Sequence, residues 1–442
     1  MAMGTMMTCR MMSISPGMPS SSPPTQSPAP ASLPLRTIPG SYGWPLLGPI
    51  SDRLDYFWFQ GPDTFFKKRI DKYKSTVFRT NVPPTFPFFA GVNPNVVAVL
   101  DTKSFAYLFD MDIVEKKNIL VGEFMPSVKF TGNIRTCAYL DTSEPQHTQV
   151  YNLQSSTVYI SPLLSPFFLI FLFYFCSLDK WLALQLLPTV KIGILQPLEE
   201  IFLHSFSYPF FLVSGDYNKL YQFITNEAKE LLRYAETEFG LNQEETIHNL
   251  LFILGFNAFG GFSIFLPGLI SRIVSDTALQ EKLRDEVRQN AGPSLSFESV
   301  MKMPLVQSVV YETLRLSPPV PLQFARARKD FQLSSHDSVF DIKKGELLCG
   351  YQPLVMRDAE VFDDPESFRA DRFMGEEGRE LLNYLYWSNG PQTGSPSESN
   401  KQCAAKDYVT LTGSMMVAYL FKRYDSITGD SASITAVEKA VK

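Results

Sequence analysis

One cysteine of the chain has surroundings that suit a metal ligand. Cys403 follows a Gly/Pro/Ser-rich loop, which starts at Trp387, and it precedes a predicted helix. Because the N-terminus of a helix stabilises negative charge, this position favours a thiolate over a thiol. The alternative is an inert cysteine in a polar loop. The chain has five cysteines, an odd number and widely scattered, which argues against a disulfide framework.

Three charged residues ahead of this cysteine fit a buried ion-pair network. Glu312 and Arg315 lie in a segment predicted to be helical, at a spacing that puts both on one helix face. Arg372, in the motif Phe-Arg-Ala-Asp-Arg-Phe, lies on a predicted returning loop that can complete the group. Buried charges persist only when they are paired and hydrogen-bonded. A Glu-x-x-Arg spacing alone is weak, but its place ahead of this motif and the cysteine loop makes it specific.

An apolar segment, Asn-Leu-Leu-Phe-Ile-Leu-Gly-Phe-Asn-Ala-Phe-Gly-Gly over residues 249–261, carries a third candidate. Between Leu250 and Gly261 the sequence has no Asp, Glu, Ser or Thr, and Asn257 is the one polar side chain. A neutral amide can donate a hydrogen bond but relays protons poorly. The segment therefore offers a hydrogen-bond donor without a proton relay. The alternative is a buried asparagine satisfied by a helix carbonyl.

Together these motifs resemble those of the cytochrome P-450 superfamily. The resemblance implies a mainly α, helical heme-thiolate fold with a small β-rich portion. It implies heme b as the cofactor with the thiolate of Cys403 as axial iron ligand. Glu312, Arg315 and Arg372 would be the structural charge network of the family. Ordinary monooxygenases also carry an acid–alcohol pair where this chain has Asn257, and its absence argues against that activity.

The loop before Cys403 resembles one branch of the superfamily. From Gly390 to Cys403 it is longer than in ordinary monooxygenases. Its sequence is similar to that of plant enzymes acting on fatty-acid hydroperoxides, namely hydroperoxide lyases, allene oxide synthases and divinyl ether synthases. The branch implies a fatty-acid hydroperoxide substrate and no need for oxygen, NADPH or a reductase.

The same resemblance implies a mechanism. Thiolate ligation favours homolysis of the O–O bond, and the alkoxyl radical of the substrate closes to an epoxide. A lyase then forms a hemiacetal that separates into a short-chain aldehyde and an ω-oxo acid, whereas a synthase forms an allene oxide. Asn257 would be the catalytic residue that orients the peroxide. We expect a lyase. An allene oxide or divinyl ether synthase, and a non-catalytic product of a truncated or mis-spliced transcript, are the alternatives.

Two positions favour the lyase. Leu120 and Ala138 stand where the synthases that this chain resembles carry an aromatic and a hydroxyl residue, although neutral drift between sister enzymes would give the same difference. The resemblance places both in the substrate pocket with Phe256 and Phe259.

Basic side chains are the candidates for cofactor binding. The resemblance makes Lys116 and His147 contacts for the heme propionates or for the substrate carboxylate, and Lys401 a further cofactor-binding residue. For Lys116 and His147 the alternative is an ordinary surface position. The formal charge of the chain, −5, gives no indication of a nucleic-acid partner.

The elements that must position these residues are mostly helical. The strands are expected at 75–80 and 95–100 and β-structure at 331–355; helices are expected at 218–239, 245–265, 277–290, 306–316 and 406–424. Pro267-Gly268 is expected to end the long apolar helix.

The two ends of the folded region have different characters. Residues 1–36 lack Asp and Glu and are rich in Ser and Pro, which is typical of a plastid transit peptide and predicts a chloroplast location. A disordered tail or an upstream extension of the gene model is the alternative. Residues 37–442 are predicted to form a single heme-thiolate domain.

Segment 151–178 interrupts that domain. It has no charged side chain, is strongly apolar from Leu163 to Cys176, and does not resemble the family, which has amphipathic helices there. It is interpreted as a membrane anchor, a buried helix or a translated intron, and the comparison with the family favours the intron. A lipid-handling enzyme can also dock on a membrane without spanning it.

Overall fold

The computed structural model describes residues 33–87, 91–159, 174–193, 195–430 and 433–439. Most of the transit-peptide prediction, residues 1–32, lies outside these ranges, as do residues 160–173 of the anomalous segment. Helices form most of the regular structure, with small sheets beside them. The prediction of a mainly α fold with a small β-rich portion is therefore confirmed.

Three helices position the predicted site residues. They are the long helix (Gln243–Val274), the ion-pair helix (Pro304–Leu316) and the cysteine helix (Lys406–Arg423). The remaining α-helices are Leu47–Leu54, Pro62–Tyr73, Thr102–Phe105, Pro145–Tyr159, Phe175–Leu186, Gln196–Phe202, Ser214–Glu227, Lys229–Phe239, Thr277–Asn290, Phe297–Val300, Gln352–Val355 and Gly375–Leu381. Short 3-10 helices cover Ala106–Phe109, Val128–Thr131, Cys137–Tyr139, Leu187–Thr189, Phe210–Leu212 and Leu382–Tyr384, and Asp55–Phe59 is π-helical.

The strands of the described residues form three sheets. The largest has the order β2-β3-β8-β5-β4, the second β1-β7-β6, and the third is the hairpin of β9 and β10. The strands are β1 Leu35–Arg36, β2 Val77–Asn81, β3 Asn95–Val99, β4 Val114–Glu115, β5 Leu322–Ala327, β6 Phe331–Ser334, β7 Val339–Ile342, β8 Leu347–Tyr351, β9 Tyr424–Gly429 and β10 Ile434–Lys439. Leu35 pairs in parallel with Val339, so the folded region begins before the predicted boundary at residue 37.

The long helix has three parts. Asn242 caps an α-helical part to Phe252, residues Ile253–Gly260 are π-helical, and an α-helical part follows to Val274. The prediction that Pro267-Gly268 ends this helix is wrong. A proline removes one backbone hydrogen bond, but the buried face of this part packs into the core and keeps the helix continuous. That face carries Phe265, Leu269 and Ile273.

Among the described residues, the long helix is the one with the length and composition to cross a membrane. Its side chains contribute to two hydrophobic cores. The first core surrounds the ion-pair and cysteine helices, and the second surrounds the first half of the long helix. Burial in these cores accounts for part of this apolar character, since 41% of the most apolar stretch of the helix is buried.

Two predicted helices differ in how well they agree with the structure. The helix predicted over 218–239 is broken at Ala228, where the backbone leaves the helical region (φ −106°, ψ 25°). It ends at Gly240, whose φ of +68° is the left-handed conformation that glycine adopts most easily. The helix predicted over 277–290 is confirmed with the same bounds.

The anomalous segment is bordered by two helices. Pro145–Tyr159 covers its first residues, and Phe175–Leu186 begins near its end. Val150, Tyr151 and Leu153 are buried in the second core. The three interpretations of residues 160–173 concern residues outside the described ranges and remain predictions.

Candidate active site

The predicted ion-pair network is buried and saturated with hydrogen bonds. Arg315 binds both carboxylate oxygens of Glu312, at 2.7 and 2.8 Å, and Nε of Arg372 reaches the same oxygens at 3.0 and 3.1 Å. The other guanidinium nitrogens donate to backbone carbonyls, among them those of Met356 and Pro365. Two arginines on one carboxylate are tolerated because these carbonyls accept their remaining protons. The network connects the ion-pair helix to the loop over residues 363–372, which comes before the cysteine loop in the chain.

Hydrogen bonds position Cys403 in its loop. Its amide donates to the Ser388 carbonyl at 2.9 Å, and its own carbonyl accepts from the amide of Lys406, the first residue of the cysteine helix. The Gln402 side chain donates to the Pro391 carbonyl at 2.7 Å. The sulfur is thus held directly ahead of a helix, as the sequence predicts.

Burial raises the pKa of the Cys403 thiol, and the Ala405 amide and the charge of Lys406 oppose this rise only in part. The helix terminus therefore acts in the predicted direction but is not sufficient to make a thiolate. A coordinated metal ion deprotonates a thiol directly. This site is consistent with a cysteine whose anionic form depends on a bound cation.

Lys116, His147 and Lys401 come together beside the cysteine loop. Burial and the charge of Lys401 lower the pKa of Lys116 to about 7. The same two causes lower the pKa of His147 to about 4, against the opposing carboxylates of Asp141 and Glu144. Burial also lowers the pKa of Lys401. Three basic groups in one poorly solvated place make a site that favours an anion.

The contacts of Lys116 and His147 fit heme propionates. Nζ of Lys116 donates to the Asn389 side chain at 3.2 Å, and Asn389 follows Ser388, which holds the Cys403 amide. Within the described residues, Nδ1 of His147 has no hydrogen-bond partner. A buried lysine on a neutral amide and an unpaired imidazole nitrogen leave room for a carboxylate. The cysteine therefore suits the iron of a heme, and the basic group suits its propionates.

Lys401 has partners that the sequence did not predict. Its ammonium group donates to the carbonyls of Cys137 and Leu140, both at 2.8 Å. These bonds join the cysteine loop to the turn that carries Ala138.

The four predicted pocket residues belong to the second core. Phe259 is buried in it, while Leu120, Ala138 and Phe256 pack against it. Phe256 stacks on Phe252 with ring centroids 4.4 Å apart. Ala404, next to Cys403, packs against the same core. The structure thus brings the apolar candidates and the cysteine loop together; their role in substrate binding remains a prediction.

Asn257 lies in the π-helical part of the long helix, and its side chain is outside the described part of the structure. Its neighbour Gly255 allows Trp181 to approach closely, since an added Cβ would lie 2.3 Å from that ring. Trp181 is fully buried and donates to the Phe130 carbonyl at 3.0 Å. The backbone at Gly255 is therefore packed against a buried aromatic side chain.

The sequence analysis did not predict two residues that shape this site, Asp141 and Arg328. Asp141 accepts from the Lys116 amide at 2.9 Å and from Arg328. Burial would raise the pKa of Asp141, but these bonds and those from Ser143 lower it to about 2. Such contacts join distant parts of the chain, so no local pattern indicates them.

Comparison with known proteins decides the family. Residues 243–393 match the family model described as Cytochrome P450. A fatty acid hydroperoxide lyase from Solanum lycopersicum is 61% identical, covering 95% of this chain and 99% of the relative. A linolenate hydroperoxide lyase from Arabidopsis thaliana is 57% identical, covering 96% and 97%. An allene oxide synthase from Linum usitatissimum is 40% identical, covering 96% and 90%. The chain belongs to the hydroperoxide lyase and allene oxide synthase branch of the cytochrome P450 family.

Two further findings bear on this P450 chain. Its alignment with the tomato lyase runs over 473 positions, more than its own 442 residues, so the relative has residues that this chain lacks. A probable inactive linolenate hydroperoxide lyase from Arabidopsis thaliana is also similar, at 54% identity over 75% of this chain. Membership of the branch therefore does not by itself establish an activity.

The ion-pair network predicts the effect of one substitution. Glu312→Gln should lower the free energy of unfolding by about 3–5 kcal/mol, because it leaves two buried arginines without a counter-charge. Thermal or urea denaturation measures this. Glu298→Gln removes an exposed i,i+4 pair with Lys302 at 3.2 Å and is the control, with little expected change. Equal effects of the two substitutions would contradict the assignment.

Proposed function

We propose that the protein is a fatty-acid hydroperoxide lyase of the chloroplast. It would cleave a polyunsaturated fatty-acid hydroperoxide to a short-chain aldehyde and an ω-oxo acid. The observation that carries the proposal is the assembly of Cys403, the basic group and the apolar second core in one place. The greater identity to lyases than to the allene oxide synthase supports it. The chloroplast location rests on the relatives' names and on the leader composition.

When bound, a thiolate-ligated heme supplies homolytic cleavage of the peroxide O–O bond. Cys403 would supply the thiolate that binds its iron, and Lys116, His147 and Lys401 would hold its propionates. Phe256 and Phe259 would form apolar walls that keep water from the reacting carbons. Asn257 would donate an amide hydrogen bond to the peroxide and orient it. Cleavage isomerises the substrate, so no oxygen, reductant or reductase is needed.

The lyase and synthase routes share a substrate radical that carries an epoxide. The two routes diverge in what this radical does next. An aromatic ring at position 120 would offer a π face to a carbon radical and favour its oxidation, and Leu120 offers none. Ala138 likewise offers no hydroxyl group. Both residues line the second core. An allene oxide synthase remains the alternative, and analysis of the products separates it from a lyase.

A non-catalytic isoform is the second candidate. It is favoured by the residues that this chain lacks relative to the tomato lyase. Against it stands the hydrogen-bonded connection between the cysteine loop, the basic group and the second core. Heme binding separates the two.

The full chain, purified with heme, should convert a fatty-acid hydroperoxide to a short-chain aldehyde without reductase. Cys403→Ala should lose both the thiolate-type absorption and the activity, because the axial sulfur is gone. Cys176→Ala, at an exposed cysteine, should keep both and is the control. Colourless wild-type protein would favour the non-catalytic isoform, and α-ketol as the main product would favour a synthase.

Lys116→Met should change stability and heme retention in opposite directions. Removing a buried cation should stabilise the heme-free chain by on the order of 1 kcal/mol. Loss of a charged hydrogen bond to a propionate should weaken heme retention roughly tenfold. Denaturation and heme transfer to apomyoglobin measure the two effects. Lys117→Met, at an exposed neighbouring residue, is the control and should alter neither stability nor heme retention. Unchanged heme retention in Lys116→Met would refute the propionate role.

We also propose that the protein docks on a lipid bilayer without spanning it. Exposed apolar side chains concentrate on two neighbouring segments, with Trp44 and Phe59 79% and 68% exposed, and Leu195 and Phe202 66% and 59% exposed. The buried Arg53–Glu200 pair, at 2.6 Å, holds the segments together. A large exposed apolar surface is uncommon on monomeric soluble proteins. A lipid-derived substrate makes a bilayer the fitting partner.

Flotation with galactolipid vesicles tests this docking. The double substitution Leu198→Gln and Phe202→Gln should weaken binding at least roughly tenfold, since each buries an apolar side chain worth about 2 kcal/mol. Phe297→Gln, at an exposed phenylalanine elsewhere, is the control and should bind as the wild type does. Equal flotation of both variants would exclude this surface.

A further inference from the structure

We propose that Asn249 is a positioning residue that fixes the turn carrying Ala138 and thereby keeps the reaction on the lyase route. The inference rests on the proposed function and deepens it. Asn249 is 1% exposed and lies on the long helix ahead of the π-helical part that contains Asn257. Neither the sequence motifs nor the relatives' names assign it a role.

Both ends of the Asn249 amide are engaged. Its Oδ1 accepts from the backbone N–H of Cys137 at 3.1 Å, and its Nδ2 donates to the Glu245 carbonyl at 3.0 Å. With both ends used, the amide has one orientation, and its oxygen is directed at the turn. This is a side-chain bond between the long helix and the 3-10 turn Cys137–Tyr139.

The same turn is bound to the cysteine loop. The carbonyls of Cys137 and Leu140 both accept from Nζ of Lys401, two residues before Cys403. One peptide segment thus has its amide held by the long helix and its carbonyls held by the loop of the predicted iron ligand.

A third set of bonds reaches the segment of Leu120. The Asn118 amide donates to the Tyr139 carbonyl at 3.0 Å, and the Lys116 amide donates to Asp141 at 2.9 Å. The turn is therefore a junction between the segments that carry Leu120, Asn257 and Cys403. Ala138, at its centre, is positioned by all three.

Loss of the Asn249 bond would act on one side of this junction. The turn would stay bound to Lys401 and to Asn118, while its amide would lose the link to the long helix. Ala138 would then shift relative to Asn257 but not relative to Cys403. We therefore expect heme ligation to persist while the partition between products changes.

The partition can be measured without knowing the amount of active enzyme. The lyase route isomerises the hydroperoxide to a hemiacetal that separates into two carbonyl products. The synthase route releases water and gives an allene oxide, which water converts to an α-ketol. The ratio of aldehyde to ketol from one hydroperoxide reports the partition in each turnover, and partial unfolding does not alter it.

The test compares the wild type with Asn249→Leu in the full chain with heme. The aldehyde-to-ketol ratio should fall roughly fivefold, the equivalent of one hydrogen bond of about 1 kcal/mol, with the thiolate-type absorption retained. Asn249→Asp keeps an acceptor oxygen for the Cys137 amide and should restore most of the ratio.

Gln280→Leu is the matched control. Gln280 is a buried amide whose bonds link Ile273 at the end of the long helix to Ile427 on β9, far along the chain from the turn. It should lower thermal stability and leave the ratio unchanged. An unchanged ratio in Asn249→Leu would overturn the proposal. Loss of heme from that variant would also overturn it, because the contact would then support the whole heme site. A wild type that makes no aldehyde would instead refute the proposed lyase function.

Discussion

The site depends on holding one sulfur atom in a loop that has no regular secondary structure of its own. The backbone around Cys403 cannot use a helix or sheet ladder, so its hydrogen bonds go to fixed neighbours, the Ser388 carbonyl and the first amide of the cysteine helix. Gln402 adds a side-chain bond to Pro391. The position of the sulfur therefore depends on residues at the start of the same loop and on the first turn of the cysteine helix.

Two clusters of buried charge flank that loop, and they differ in how far they are satisfied. Glu312, Arg315 and Arg372 use one another and several carbonyls, so this cluster is complete within the protein and serves the fold. Lys116 has a neutral amide as its partner, and His147 keeps an unpaired ring nitrogen. Desolvation of cations without an anion is unfavourable unless a ligand supplies the charge. Buried ionisable groups thus indicate structure in one place and binding in the other.

The sequence was sufficient where the signal is local. Helix periodicity placed Thr277–Asn290 correctly, and the i, i+3 spacing of Glu312 and Arg315 predicted their pairing. It failed where packing overrides a local rule, as at Pro267, which lies inside a helix because the first core keeps its neighbours buried. Long-range polar contacts, such as that of Asn249 with Cys137, leave no local pattern at all. The one available sequence signal for Asn249 was its position as a polar residue directly ahead of an apolar stretch.

The position of the anomalous segment relative to the site limits what it can affect. His147 lies in the first turns of the helix Pro145–Tyr159, and Val150 and Leu153, which come after it, are buried in the second core. His147 and Val150 precede the segment that departs from the family, whereas Leu153 belongs to its first residues and still packs in the second core. Any loss of packing there would lower the stability of the second core as a whole. It would act on heme affinity through the position of this helix rather than by removing a ligand.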